Sequence, residues 1–183
     1  EDKFFDKADK FALYPTVDGS YFLWDELIEK IKATQTDKDG KTVVLYTSNK
    51  EVQHSYIAAA TNKGYEVLLL DSPIISHLMQ KLESSKENVS FVRVDAEHAD
   101  NLVKKEEEQI SKLSDEEKET LQKTITETIA DSGYTVQVEA MSSDAAHFLI
   151  TQPEFMSRLK EMQATGGGAM MGVGNMPYMT SFD

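Results

Sequence analysis

The stretch Thr42–Thr47 reads Thr-Val-Val-Leu-Tyr-Thr, a continuous apolar run rich in β-branched residues. It lacks the alternation of a half-solvated strand, so it predicts a strand covered on both faces. A strand of that kind commits the chain to a layer above it and a layer below it. Two further strand-length runs follow, Glu66–Leu70 and Ser90–Val94. Each interval between the runs has room for a helix. The first helix is expected to open on Ser48–Glu51, where Ser48 and Glu51 have the spacing of a capping box. It runs to about Asn62, and Gly64 is placed to supply the left-handed residue after it. The second is expected to start at Asp71-Ser72-Pro73, with Ile74, Leu78 and Leu82 as its buried face. Strand, helix, strand, helix, strand with short connections predicts a small three-stranded parallel βαβαβ module with right-handed crossovers, an α/β fold.

Two elements precede the module. Leu13–Phe22 predicts a hairpin, with Asp18-Gly19 at the turn. Trp24–Lys32 predicts a helix with Trp24, Leu27, Ile28 and Ile31 on one face. They are available to cover the small sheet. The opening residues Lys3–Ala8 resemble a helix already under way, and the last residues, Met179–Asp183, show no stop signal, so both ends are expected to be cuts through a longer protein.

After Val94 the pattern changes. Asp95–Asp115 is acidic and poorly periodic, with Glu106-Glu107-Glu108 at its centre, and is read as a solvated linker. Ser114 and Glu117 form a second capping-box pattern and open a helix to about Ala130, with Leu121, Ile125 and Ile129 as its stripe. Thr135–Met141 and His147–Thr151 read as a strand and its partner. Pro153–Gln163 reads as an amphipathic helix. The expected organisation is therefore a module over 1–98, an acidic linker over 99–114, and an incomplete α+β module over 115–183.

Composition removes several classes of function. The 183 residues carry 19 Lys and Arg against 32 Asp and Glu, a formal net charge of −13. Phosphate backbones and anionic membrane surfaces repel such a chain, so neither nucleic acid nor membrane is an expected partner. The absence of cysteine removes disulfides, thiolate chemistry and Cys-based zinc sites, and fits a reducing cytosol. No apolar run approaches the length that spans a bilayer.

Few residues are disposed for chemistry. Asp71 and Asp95 fall at the carboxyl ends of predicted parallel strands, the edge at which open α/β sheets bind ligands. The plainer reading makes Asp71 a helix cap and Asp95 the start of the solvated stretch. The turn after Thr47 has no glycine, which excludes a phosphate-binding loop there. Gly166-Gly167-Gly168 follows a helix and reads as a flexible loop. His54, His77, His98 and His147 lack metal-ligand spacing. No serine sits in a nucleophile elbow. Neither catalytic residues nor a metal site is expected.

Phe155, Met156, Leu159 and Met162 recur at three- and four-residue spacing in the Pro153–Gln163 helix, followed by Met170 and Met171 among glycines. Methionine is flexible and polarizable and suits surfaces that bind many partners. On the residues alone, a core-facing helix face is the better reading.

A resemblance reverses that order. Val44–Glu51, Tyr56–Ala60, Lys63–Leu70 and Phe91–Val94 resemble the end of the middle domain of the ninety-kilodalton heat-shock chaperones. Ala145–Thr151 and Pro153–Met162 resemble the opening of their C-terminal domain. The similarity covers nearly the whole chain and is strongest to bacterial members. It implies an ATP-dependent, dimeric, cytoplasmic chaperone that binds unfolded or partly folded clients. It implies that the ATP and magnesium site, and the middle-domain arginine that assists hydrolysis, lie before Glu1. The final dimerisation helices would lie after Asp183. This chain is then expected to hold no cofactor and to be no enzyme by itself. The resemblance assigns client contact to Phe155, Met156, Leu159 and Met162, extended by Met170 and Met171. The exposed aromatic that relatives often carry after the second strand has no counterpart in Ile74–Met79.

Two other classes of function are compatible with the residues. One is a small α/β nucleotide or phosphotransfer domain that uses Asp71 and Asp95. The other is a non-enzymatic interaction module whose acidic linker recruits a basic partner.

Overall fold

A computed structural model describes residue 5 and residues 7–72, 74–105, 111–130, 133–140 and 148–164, with the backbone alone for 160–164. The run Thr42–Thr47 forms β3, and all six of its residues are buried. β4 (Val67–Leu69) and β5 (Val89–Arg93) pair with it in parallel, one on each side, giving the order β4-β3-β5. The register sets Leu45 against Val67 and Val44 against Phe91.

Alternation along β3 divides the interior into two cores. Val44 and Tyr46 face one, with Leu68 of β4 and Phe91 of β5. Val43 and Leu45 face the other, with Val67 and Val94. Helix α1 (Trp24–Ile31) covers the first core with Trp24, Leu27 and Ile31. Trp24 lies edge-on to Tyr14, with ring centroids 5.3 Å apart, and tilted against Phe91 at 6.1 Å. Helix α2 (His54–Asn62) covers the second core with Ile57 and Ala60. Helix α3 (Ile75–Ser85) returns to the first.

The hairpin forms as expected, with β1 (Tyr14–Pro15) antiparallel to β2 (Tyr21–Phe22). Gly19 takes φ +90° at its turn, and the Asp18 carboxylate accepts from the Ser20 N–H at 2.9 Å. Thr16 bridges antiparallel to Leu68, and Val17 N–H donates to the Val67 carbonyl at 3.0 Å. The hairpin thereby covers the outer edge of β4.

Several local expectations are corrected. Ser48 caps nothing. Residues 48–53 form a turn in which the Asn49 side chain accepts from the Glu51 and Val52 N–H groups. Gln53 accepts from the Thr47 hydroxyl at 2.6 Å, and α2 begins one residue later. The buried face of α3 is Ile75, Met79 and Leu82; Ile74 is 68% exposed. Leu82 is buried as expected and Leu78 packs partly buried against the first core, while Ile75 and Met79 take the place of Ile74. The Asp95–Asp115 stretch begins inside the fold. Ala96 is buried, and Ala99, Leu102 and Val103 belong to the second core. Asp100 pairs with Lys63 at the end of α2, and its N–H donates to Nδ1 of buried His98 at 3.2 Å, which ties this turn down. Residues 106–110, the centre of the expected linker, lie outside the described residues.

Helix α4 (Asp115–Thr128) opens on the expected reciprocal cap between Ser114 and Glu117. It buries no residue, and Leu121 of its stripe is 42% exposed. No strand forms in 133–140 or 148–153. Single contacts replace a ladder there: Gln122 donates to the Val136 carbonyl and Asn101 to Glu139. Helix α5 (Glu154–Ala164) closes the described chain.

One buried polar group has no forewarning in the periodicity. Gln35 is fully buried; its amide donates to the Val43 carbonyl at 2.8 Å and its oxygen accepts from the Glu66 N–H at 2.6 Å. Gln35→Leu leaves both backbone groups without that partner, and each orphaned group costs about 1–3 kcal/mol. Urea unfolding of this variant is expected to show a loss of about 2 kcal/mol or more. Met79→Ala empties a fully buried position in the first core and is expected to cost about 2–5 kcal/mol in the same experiment.

Candidate interaction surface on helix α5

β5 lies at the edge of the sheet. In a parallel strand, alternate residues turn both backbone groups toward the same side. Phe91 and Arg93 turn theirs outward, and charged side chains meet them. Glu83 of α3 accepts from the Phe91 N–H at 2.8 Å. Arg158 of α5 donates to the Phe91 carbonyl at 3.0 Å. Glu154 accepts from the Arg93 N–H at 2.7 Å. Arg158 also makes a two-point pair with Glu83, at 2.8 and 2.9 Å, and bonds Glu154 at 2.7 Å. Tyr46 reaches Glu154 from the central strand at 2.9 Å. Burial opposes ionisation of Glu83, but the Arg158 pairing and the Phe91 N–H outweigh it and hold the carboxyl below the usual range. The two carboxylates raise the Arg158 pKa in turn, Glu83 contributing most.

These contacts orient α5. Ser157 is buried, and Glu154 and Arg158 are three-quarters buried or more. The helix is docked through its polar side. Phe155 lies about 100° around from Glu154 and is 73% exposed. Phe148 and Ile150, just before the helix, are 64% and 44% exposed. Of the residues assigned to client contact, Phe155 stands open to solvent. Met156 and Leu159 are partly buried. Met162 falls within α5, its side chain outside the described residues; Met170 and Met171 lie outside them altogether. The apolar spacing was legible in the sequence, but Glu83, Arg158 and Glu154 carried no local signal of their roles. Arg158 and Glu83 are 75 positions apart.

The Asp71 and Asp95 pair is not assembled into a site. Asp71 is exposed after β4, and Asp95 follows β5, with β3 between the two strands. Asp95 is taken up by Arg93, at 2.6 and 3.0 Å, and is not a free acidic group at the start of a solvated stretch. Gln152 N–H donates to the Asp95 carbonyl and Gln152 Oε1 accepts from Arg93, so the approach to α5 crosses this end of the strand. A cleft of about 480 Å³ lies beside it, lined by Glu97, His98, Asn101, Glu139, Thr151 and Pro153 among others. Burial raises the Glu97 pKa; Lys104 lowers it and Glu139 raises it. Among the described residues no group of three or more His, Cys, Asp or Glu could hold a metal ion.

Sequence comparison with known proteins gives one family. The profile of the family described as "Hsp90 protein" matches residues 18–175. "Chaperone protein HtpG" of Bacteroides thetaiotaomicron is 38% identical over 182 residues, which is 98% of this chain and 27% of the relative. The Porphyromonas gingivalis protein of the same name is 38% identical over 165 residues, 88% of this chain and 24% of the relative. A Bacteroides fragilis HtpG is also 38% identical over 182 residues. The chain spans about a quarter of the length of these curated relatives. A family profile that matches residues 18–175, with relatives 38% identical over nearly the whole chain, makes this chain a member of the Hsp90 chaperone family.

Proposed function

We propose that this chain is the part of an ATP-dependent chaperone that presents α5 to unfolded or partly folded client proteins. The observation that carries the reading is the orientation of the helix. An amphipathic helix of a globular protein ordinarily turns its apolar stripe inward. Here Glu154, Ser157 and Arg158 turn inward and Phe155 turns outward. An exposed aromatic on a helix held from behind is suited to bind apolar segments reversibly, because the helix needs no ordering when a client arrives. Phe148 and Ile150, a few residues before the helix in the chain, are exposed as well. Met156, Leu159 and Met162 lie along the same helix.

In this reading the chain contributes surface and mechanical connection, without hydrolysing ATP or holding a cofactor. ATP with magnesium acts elsewhere in the whole protein, which works as a cytoplasmic homodimer. The net charge of −13 favours protein clients over nucleic acid or anionic membrane. No helix among the described residues is long and apolar enough to cross a membrane.

The test uses the full-length protein and a non-native client that aggregates on its own. Phe155→Glu is expected to weaken client capture by about tenfold, the scale of one lost aromatic anchor of roughly 1–2 kcal/mol. Its thermal unfolding should match the wild type, since Phe155 is mostly exposed. Phe11→Glu, at a position 80% exposed on the hairpin side, is the control and should leave capture unchanged. Undiminished suppression of aggregation by Phe155→Glu, or an equal loss with Phe11→Glu, would remove α5 from the client surface.

A further inference from the structure

We infer that Arg158 is an electrostatic latch that holds α5 across the open edge of β5 and can release it while the sheet remains folded. This goes beyond the client reading, because it concerns what fixes the helix whatever the helix binds.

The described contacts that fix α5 to the sheet are polar. Arg158 spans Glu83 of α3, the Phe91 carbonyl of β5 and Glu154 of its own helix. Glu154 in turn holds the Arg93 N–H and the Tyr46 hydroxyl. One guanidinium therefore joins two helices and an edge strand. Bidentate charge-assisted bonds are strong but depend on geometry and charge. Loss of the guanidinium removes the Glu83 pair, the Phe91 bond and the restraint on Glu154 together.

The connection permits release. Residues 133–140 and 148–153 hold no regular structure, and the approach to α5 is tied by separate contacts, Tyr56 to the Ile150 carbonyl and Gln152 to Asp95. Among the described residues, no side chain of α5 belongs to either core cluster. Both core clusters are built from residues up to Val103. On release, the Arg93 N–H and the Phe91 carbonyl lose the partners that α5 supplies, while the Phe91 N–H keeps Glu83. The opened edge is also an unpaired strand edge of the kind that proteins normally cover.

Amide hydrogen exchange on the full-length protein reads this directly. Arg158→Met keeps most of the side-chain stem and removes the charge. It is expected to raise exchange at Arg93 and through α5 at least tenfold, with the amides of β3 unchanged. Arg158→Lys, which keeps the charge without the fork, should fall between. Glu83→Gln weakens the same pair from the other side and should also speed exchange in α5, again sparing β3. If exchange at Arg93 and in α5 stays at the wild-type rate in Arg158→Met and in Glu83→Gln, other contacts hold the helix and the latch is refuted. An equal rise across β3 would refute it as well, because Arg158 would then be an ordinary stabilising contact of one cooperative unit.

Discussion

β3 has no solvent-facing side. All six of its residues are buried, so the fold must build cover on both faces. α1 and α3 supply one layer, and α2 with the turn from Ala96 to Val103 supplies the other. With strands on both sides of β3, the remaining weak points are the two outer edges. The hairpin closes the β4 edge with backbone bonds, Thr16 against Leu68 and Val17 to Val67. Side chains from α3 and α5 close the β5 edge. The position of α5 is thus a consequence of the central strand, reached through the need to satisfy an edge.

The two closures differ in character. A backbone bridge at the β4 edge belongs to the same compact stretch of chain as the core. The β5 edge relies on Glu154 and Arg158, some 60 positions further on. A charge-assisted contact over that separation gains less from chain connectivity and more from local geometry. Both core clusters of the first unit are built from residues that precede α5. On the latch proposal, stability of the sheet and placement of the helix are separable, which an apolar docking face would not allow so readily.

The parts of the fold legible in the sequence were those written in local periodicity. The unbroken run at Thr42–Thr47, the Asp18-Gly19 turn, the Ser114–Glu117 cap and Gly64, which takes φ +77°, all act within a few residues of themselves. What was illegible lay in contacts between distant residues. Gln35 reads as an ordinary polar residue after a helix, yet it bonds both Val43 and Glu66 in the interior. Ala99, Leu102 and Val103 are apolar residues scattered among polar and acidic ones, and they are buried in the cluster to which α2 contributes Ile57 and Ala60. Thr135–Met141 alternates like a strand, but alternation only describes which side chains can face a core. A ladder requires a partner at the right distance, and among the described residues Val136 meets the side chain of Gln122.

Helix α5 shows why composition alone could not rank its two readings. Its apolar spacing is the same whether the stripe faces a core or solvent. The deciding information sits on the opposite side, in whether Glu154 and Arg158 have buried partners. A solvated arginine would leave the apolar side as the natural contact surface of the helix with its own fold. Glu83 and the outward groups of β5 give Arg158 a place inside, and that turns Phe155 out. The candidate surface is therefore specified less by the apolar residues that compose it than by the ion pair behind it. Substitutions confined to the apolar residues of the helix would miss Glu83, Glu154 and Arg158, which determine where Phe155 points.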